Sequence, residues 1–417
     1  MRRESPHAGR SVSYALILAT IGSPLHGQVA SGSTGPDLVA DAFSPDTVVA
    51  PPVGPRIVRL PTPGASVVSM RLFIPLREGP AEAGAARILQ VLGTESAQAV
   101  ASQVGARVQG SRTPWGIAYT VTGATSDADF LAFTLRNAVS DPAGRRVDFG
   151  QAVDALEAEV ERQQETPGGR VAAQLRSQAA PSSPPLGGTP GSLGRLTLAD
   201  VRGLWARTHQ AEHMTLVVAG DVPLEVLLAS FQSIGAPSSG AVGPSEAPVS
   251  EPSRPAPQVI RHWFGEARLV SDASDPRAEV AALLVARSLE ASGGRFEAEV
   301  QLWQLPEAKV LAIVGAAYSQ GRQEMVGRVQ SAVSATATAL TESAVGDAVS
   351  EIRTDLLMGA RTPPGRASLV GLLMEASGEA TAAADLLRRL DAVTIGSIRT
   401  FLEGLAGTTP LRAEVRP

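Results

Sequence analysis

Apolar and polar positions change rhythm several times along this chain. Val68, Met70, Leu72 and Ile74 alternate with Ser69, Arg71 and Phe73, which predicts a strand with one mainly apolar face. A helix starting near Gly84 follows, and residues 96–104 read as a second one that ends near Gly105. Residues 118–121 read as a strand, and residues 127–139 as a helix that buries Phe130, Phe133 and Leu135. A long charged helix is expected over residues 149–164, closed by Pro167-Gly168-Gly169. After a loop dense in Pro, Gly and Ser (residues 180–194), Thr197 predicts the N-cap of a helix reaching about Thr208. A strand over residues 215–219 and a helix over residues 223–231 complete this part.

Residues 236–257 hold several Pro, Ser, Gly and Ala without apolar periodicity, as an interdomain linker does. The pattern then restarts with a strand near residues 267–270, a helix over 277–290, a strand over 310–317 and long helices from Arg322 onward. The halves close alike. Thr197-Leu198-Ala199-Asp200-Val201-Arg202 resembles Thr394-Ile395-Gly396-Ser397-Ile398-Arg399, each followed by a short helix, a break and a strand. This points to a duplicated α+β unit, with domains at residues 55–235 and 258–417.

The start of the chain reads as an export signal over residues 1–27. Arg2, Arg3 and Arg10 precede an apolar run over residues 12–25, and Gly27 offers a cleavage point. The run is too short for a comfortable membrane span, and no later segment is long and apolar enough. Residues 28–54 form a lead-in without periodicity. A periplasmic or secreted protein is expected.

At 417 residues the length suits two domains, and 44% hydrophobic residues make the chain globular. The net charge of -5 gives no electrostatic reason to expect nucleic acid. There is no Cys, hence no thiol nucleophile and no Cys-type zinc site. No Ser sits in a G-x-S-x-G elbow, and the Gly-rich stretches lack the Lys-Ser/Thr ending of a phosphate loop. Trp115, Trp205, Trp263 and Trp303 stand apart and read as packing residues.

Several segments in order resemble the pitrilysin/insulinase family of zinc peptidases, which includes the mitochondrial processing peptidases. They are the strand over residues 67–75, the Gly84 helix, Val104-Gly105-Ala106-Arg107-Val108, Tyr119-Thr120-Val121-Thr122-Gly123 and the Thr197 helix start. The most specific is Met214-Thr215-Leu216-Val217-Val218-Ala219-Gly220-Asp221, which is similar to the family's N-M-T-L-V-V-V-G-D strand. The resemblance is clear over residues 57–235 and weaker over 258–417. It implies an α+β fold of two related domains. Each would carry a mainly antiparallel sheet covered by helices, and together they would form half of a clam shell.

The family's zinc helix carries H-x-x-E-H. Here Arg87 stands at the first His, Gln90 at the Glu and Val91 at the second His. A guanidinium and an isopropyl group cannot ligate a cation, so no zinc-bound hydroxide is expected by the usual route. Glu157 falls near the family's third ligand, as a remnant ligand or a solvated Glu among Glu159 and Glu161. The Gly-rich turn Ser292-Gly293-Gly294-Arg295-Phe296 survives, but the run after it shows no recognisable Arg–Tyr pair.

A literal H-x-x-E-H occurs elsewhere, at His209-Gln210-Ala211-Glu212-His213. Such a motif needs one helix through both His. Here a helix pattern ends near Thr208 and a strand begins at Met214, so the string spans a turn. Glu290 lies at roughly the distance of a downstream third ligand. Past the signal, only His209, His213 and His262 remain.

The resemblance therefore implies a non-catalytic subunit that pairs with an active homologue carrying the zinc and helps to hold peptide. No catalysis and no cofactor are expected of this chain alone, and Gly293, Gly294 and Arg295 are the candidate peptide wall. Two alternatives stay open: an active zinc peptidase through His209, Glu212 and His213, and a binding or assembly protein with no protease partner.

Overall fold

The computed structural model describes residues 43–142, 148–231, 261–270, 272, 274–306 and 308–416. The expected signal, most of the lead-in and the expected linker lie outside the described residues.

Within the lead-in, β1 (Thr47–Val49) pairs antiparallel with β2 (Arg56–Leu60). Then comes β3 (Val67–Pro75), where Val68, Met70, Leu72 and Ile74 are buried. Alternation predicted one covered face, yet Ser69 and Arg71 on the other face are buried as well. Both faces of this strand are packed.

The helix α1 (Ala85–Ala101) runs unbroken through Gly93, where two helices were expected. Gly93 is not a breaker. A Cβ there would collide with the Tyr119 hydroxyl and the Ala138 carbonyl. Tyr119 is fully buried and donates to the Leu89 carbonyl at 2.9 Å, so its ring end lies against the helix backbone. The glycine permits that approach.

The hairpin β4 (Arg107–Thr113) and β5 (Gly116–Ala124) extends the short strand expected at 118–121. In α2 (Ala128–Ala138), Leu131, Ala132, Leu135 and Ala138 face the core. Phe133, expected to be buried, is 37% exposed and lies under Arg136, whose guanidinium is 5.6 Å from the ring. The helical period puts it opposite the Leu131–Leu135 stripe.

The charged helix α3 (Phe149–Glu165) ends at Thr166, but Pro167, read in the sequence as part of its close, opens a further helix, α4 (Pro167–Ala179). Proline fits the first helical position, where its missing N–H is no loss, and Thr166 caps the turn by accepting from the Gly169 N–H at 3.1 Å. The short α5 (Pro190–Leu193) precedes α6 (Leu198–Thr208), whose N-cap Thr197 forms a capping box with Asp200. Next are β6 (Thr215–Ala219) and α7 (Leu224–Phe231).

The second half repeats the plan with β7 (His262–Val270), α8 (Arg277–Ala291), β8 (Phe296–Gln304) and β9 (Lys309–Ala317). Helices α9 (Arg322–Ala339), α10 (Glu342–Gly359), α11 (Pro363–Ser377), α12 (Ala382–Asp391) and α13 (Ile395–Gly407) lead to β10 (Leu411–Val415). Strand β8 went unread in the sequence.

The first sheet has the order β1-β2-β6-β3-β5-β4 and the second β10-β7-β9-β8. Among the described residues, only β2 and β6 run parallel, and every other pairing is antiparallel. The run β6-β3-β5-β4 matches β10-β7-β9-β8 in order and direction. The molecule is thus an α+β fold with a repeated unit. A second repeat signal, missed in the sequence reading, marks it. Thr166-Pro167-Gly168-Gly169-Arg170 opens α4 as Thr362-Pro363-Pro364-Gly365-Arg366 opens α11, each with the Thr as N-cap.

These two helices are exchanged between the halves. Helix α4 of the first half packs on β7 and β10 of the second sheet, with Val171 and Leu175 in one buried cluster with Ala267, Ala312 and Ala413. Helix α11 of the second half packs on β3 and β6 of the first sheet. Fully burying a Val or Leu contributes roughly 1.5–3 kcal/mol, so this reciprocal cover binds the halves together and explains why β3 has no exposed face.

Candidate functional site

Helix α1 carries Arg87, Gln90 and Val91 one turn into its length, beside α3 and the edge strand β4. Gln90 is buried, with 4% exposure, and its Nε2 donates to Thr94 Oγ1 at 3.1 Å, while the Thr94 hydroxyl donates to the Gln90 carbonyl at 2.7 Å. Arg87 donates through Nη1 to Gln90 Oε1 and through Nη2 to Glu159 of α3, 3.2 Å away. Val91 is half-buried against the apolar cluster of this half.

The three side chains Arg87, Gln90 and Glu159 therefore form a closed polar set, with the guanidinium between an amide oxygen and a carboxylate. Glu159, rather than Glu157, is the α3 carboxylate that reaches it. Residues two apart on a helix point about 200° from each other. Glu157 lies instead against Gly194, after α5. Within this set only the Glu159 carboxylate could ligate zinc, and it faces the Arg87 guanidinium. Arg87 and Val91 have no lone pair to offer, and the Gln90 oxygen already accepts from Arg87.

A buried ion pair supports the start of α1. Glu78 accepts from the Gly84 and Ala86 N–H groups at 3.1 and 2.7 Å, where the helix end favours negative charge. Arg112 of β4 donates to its other oxygen at 3.2 Å, with side-chain exposures of 6% and 1% for Arg112 and Glu78. Burial pushes the Glu78 carboxyl up from its ordinary range and the Arg112 guanidinium down. The pair fixes the edge strand to the helix start.

The string from His209 to His213 spans the turn between α6 and β6. Helix α6 ends at Thr208, Gln210 is extended, residues 211–213 make one 3-10 turn and β6 begins at Thr215. His209 is buried, with Nδ1 3.0 Å from Thr208 Oγ1. His209 and Glu212 line one cavity and His213 another. Glu290 is exposed near the end of α8. Among the described residues, no three His, Asp or Glu side chains form a group that could hold a metal ion.

The candidate peptide wall follows α8. Gly293 and Gly294 have φ of +60° and +141°, and a Cβ on Gly294 would strike the Phe296 ring. The turn borders an open groove of about 690 Å³ that Gly294 and Arg295 share with Arg261, Tyr318 and Ser319. Arg261 stacks over Tyr318 at 5.0 Å and donates to Glu297 at 2.7 Å. An Arg–Tyr pair thus stands beside the Gly-rich turn, although the run after the turn offers none. Sequence reasoning missed it because Arg261 precedes β7 and Tyr318 follows β9. Only the pairing of His262 with Ala317 brings them together.

Among the described residues, no helix is long and apolar enough to cross a membrane.

No family model matches the chain, and no curated protein matches it. Solved structures do. A protease from Helicobacter pylori superposes with a TM-score of 0.72 at 13% identity, over 90% of this chain and 100% of that one. The inactive domain of a peptidase M16 from Pseudomonas fluorescens gives 0.70 at 12% identity, over 86% and 94%. A chain of complex III from Candida albicans gives 0.70 at 13% identity, over 88% and 95%. Likeness at such identities establishes the fold, which is M16-peptidase-like along nearly the whole chain.

Proposed function

We propose that this chain is a non-catalytic relative of the pitrilysin/insulinase-type peptidases that pairs with an active, zinc-bearing homologue and supplies part of the wall that holds peptide. The observation that carries the reading is the Arg87–Gln90–Glu159 set. At the place where the fold's catalytic members would keep a cation, this chain has a covalently attached one. The guanidinium meets the α3 carboxylate and satisfies the Gln90 oxygen, so the local charge is balanced without a metal. The site is repacked as a whole, not damaged at one position.

Two further features support a peptide-holding role. Strand β4 ends its sheet, so its outer backbone groups can pair with an extended segment. The groove at Gly294 and Arg295 combines flexible backbone with a cationic and aromatic rim. The likeness to a domain described as inactive, and to a chain of a multi-subunit complex, is in keeping with pairing. The basic and apolar start of the chain supports export, which would place the complex in the periplasm or outside the cell.

Purification of the tagged full chain from its native host, followed by metal analysis and a peptide-cleavage assay, tests the proposal. Co-elution with a zinc-bearing homologue, and no zinc or cleavage in this chain alone, is the expected result. Stoichiometric zinc in the isolated chain would overturn it. Recovery without any protease favours the binding or assembly role.

A further inference from the structure

A cavity of about 250 Å³ opens at the seam between the halves. Arg71, Glu375 and Gly371 form its floor, Phe73, Val217 and Met374 its apolar walls, and Arg56, His213 and Gly378 its mouth. Exposure falls from mouth to floor: His213 is exposed, whereas the Arg71 and Glu375 side chains are 5% and 2% exposed. At the mouth, Arg56 Nη1 donates to the Gly378 carbonyl at 3.1 Å.

The floor has an unmet acceptor. Arg71 is fully used, with Nε donating to Glu375 Oε1 at 2.7 Å, Nη1 to Thr120 at 3.3 Å and Nη2 to Ser111 at 3.4 Å. Glu375 Oε2 is buried and accepts no hydrogen bond among the described residues. Thr113 lies beside this carboxyl, but its hydroxyl donates to the Gly116 carbonyl at 3.3 Å. A buried oxygen left so costs about 1–3 kcal/mol. The site lacks a donor at the floor. At the other end it has donors to spare, the N–H groups of Arg56 beyond the one given to Gly378 and the His213 imidazole.

Size and lining narrow the occupant. A water takes roughly 30 Å³ of liquid, so the space admits several waters or one small molecule. The apolar walls offer water few partners, and apart from Thr215 the polar side chains of the lining are Arg71 and Glu375 at the floor and Arg56 and His213 at the mouth. An occupant should therefore be apolar in its middle, a donor at its inner end and an acceptor at its outer end.

We propose that this cavity binds a small apolar zwitterion, a free amino acid or dipeptide, whose ammonium donates to Glu375 Oε2 and whose carboxylate is held by Arg56 and His213. Because α11 belongs to one half and β2, β3 and β6 to the other, the bound molecule also ties the halves. The site does not depend on pairing with a peptidase and stands or falls separately.

Calorimetry and thermal unfolding of the full chain with leucine, methionine and Leu-Leu test it, against N-acetyl-leucine and leucinamide. Leucine should bind and raise the unfolding temperature. Both blocked forms should bind at least about tenfold more weakly, each lacking one charged end. Arg56→Ala and His213→Ala lie at the mouth, where folding tolerates change. Each should weaken leucine about tenfold and leave leucinamide unchanged. Equal binding of leucine and N-acetyl-leucine would overturn the proposal. So would the absence of any shift at millimolar ligand, or only water in the cavity of a leucine-soaked crystal.

Discussion

Arg71 of β3 and Glu375 of α11 meet at 2.7 Å across the seam between the halves, both almost wholly buried and 304 residues apart in the chain. A Cβ on Gly371 would stand 2.5 Å from Arg71 Cδ, so the helix carries a glycine where the arginine stem lies across it. The ion pair and the close approach together key α11 onto the first sheet.

Breaking this pair should be asymmetric. Glu375→Ala leaves a guanidinium that cannot shed its proton, and should cost about 3–5 kcal/mol in denaturant unfolding. Arg71→Ala leaves a carboxyl that can become neutral, and should cost less. Arg71→Met with Glu375→Leu should recover most of the loss. Equal costs for the two single variants would contradict the argument.

The pair also gives the fold a pH dependence. Burial pushes Glu375 up, against the pull of Arg71, and burial pushes Glu78 up in the same way. A carboxyl with a raised folded-state value contributes stability that is fully present below its unfolded value, about 4.3, and lost as pH rises through the folded value. Part of the unfolding free energy should therefore decline as pH rises above that point. Glu375→Gln should flatten this part of the curve, as measured by denaturant titrations across the range.

Installing a zinc helix tests the geometry proposed for the Arg87 site. Arg87→His, Gln90→Glu and Val91→His together place two imidazoles one turn apart on α1, near the carboxylate that Arg87 now holds. The triple variant should take up about one zinc per chain. Adding Glu159→Gln should lower its zinc affinity at least about tenfold, and adding Glu157→Gln should not. Calorimetric zinc titration separates the two carboxylates, and the reverse order would refute the placement on α3.

Gly93→Ala should destabilise the first half by about 1–3 kcal/mol, because the new methyl meets the Tyr119 hydroxyl and the Ala138 carbonyl. Tyr119→Phe in the same chain should relieve part of the strain by removing the hydroxyl, while the ring Cζ and the Ala138 carbonyl stay. Thermal unfolding of the single and the double variant measures this.

Features that depend on near neighbours could be read from the chain. The Thr197 cap, β6 at residues 215–219 and the close of the second half at β10 all follow from local hydrogen bonding and alternation. That Arg87 and Val91 offer no zinc ligand was equally plain, since it concerns which atoms are present. Other features depended on distant partners. Residues 96–104 read as a separate helix, although α1 continues through Gly93, because nothing local shows Tyr119 behind that glycine. Pro167-Gly168-Gly169 looked like a stop, although Gly168 lies against Trp263 of the other half, where a side chain would not fit. Phe133 counted as core by hydrophobicity and is exposed by angle.

The sequence alone thus determined many of the elements, their duplication and the absence of a metal-binding atom at Arg87 and Val91 of α1, because propensity, capping and donor chemistry act within a few residues. Tertiary structure decided which carboxylate answers Arg87, how Arg261 meets Tyr318, and that α4 and α11 each cover the other half's sheet. Those outcomes follow from strand register and helix rotation, which are set only when surfaces far apart in the chain exclude water between them.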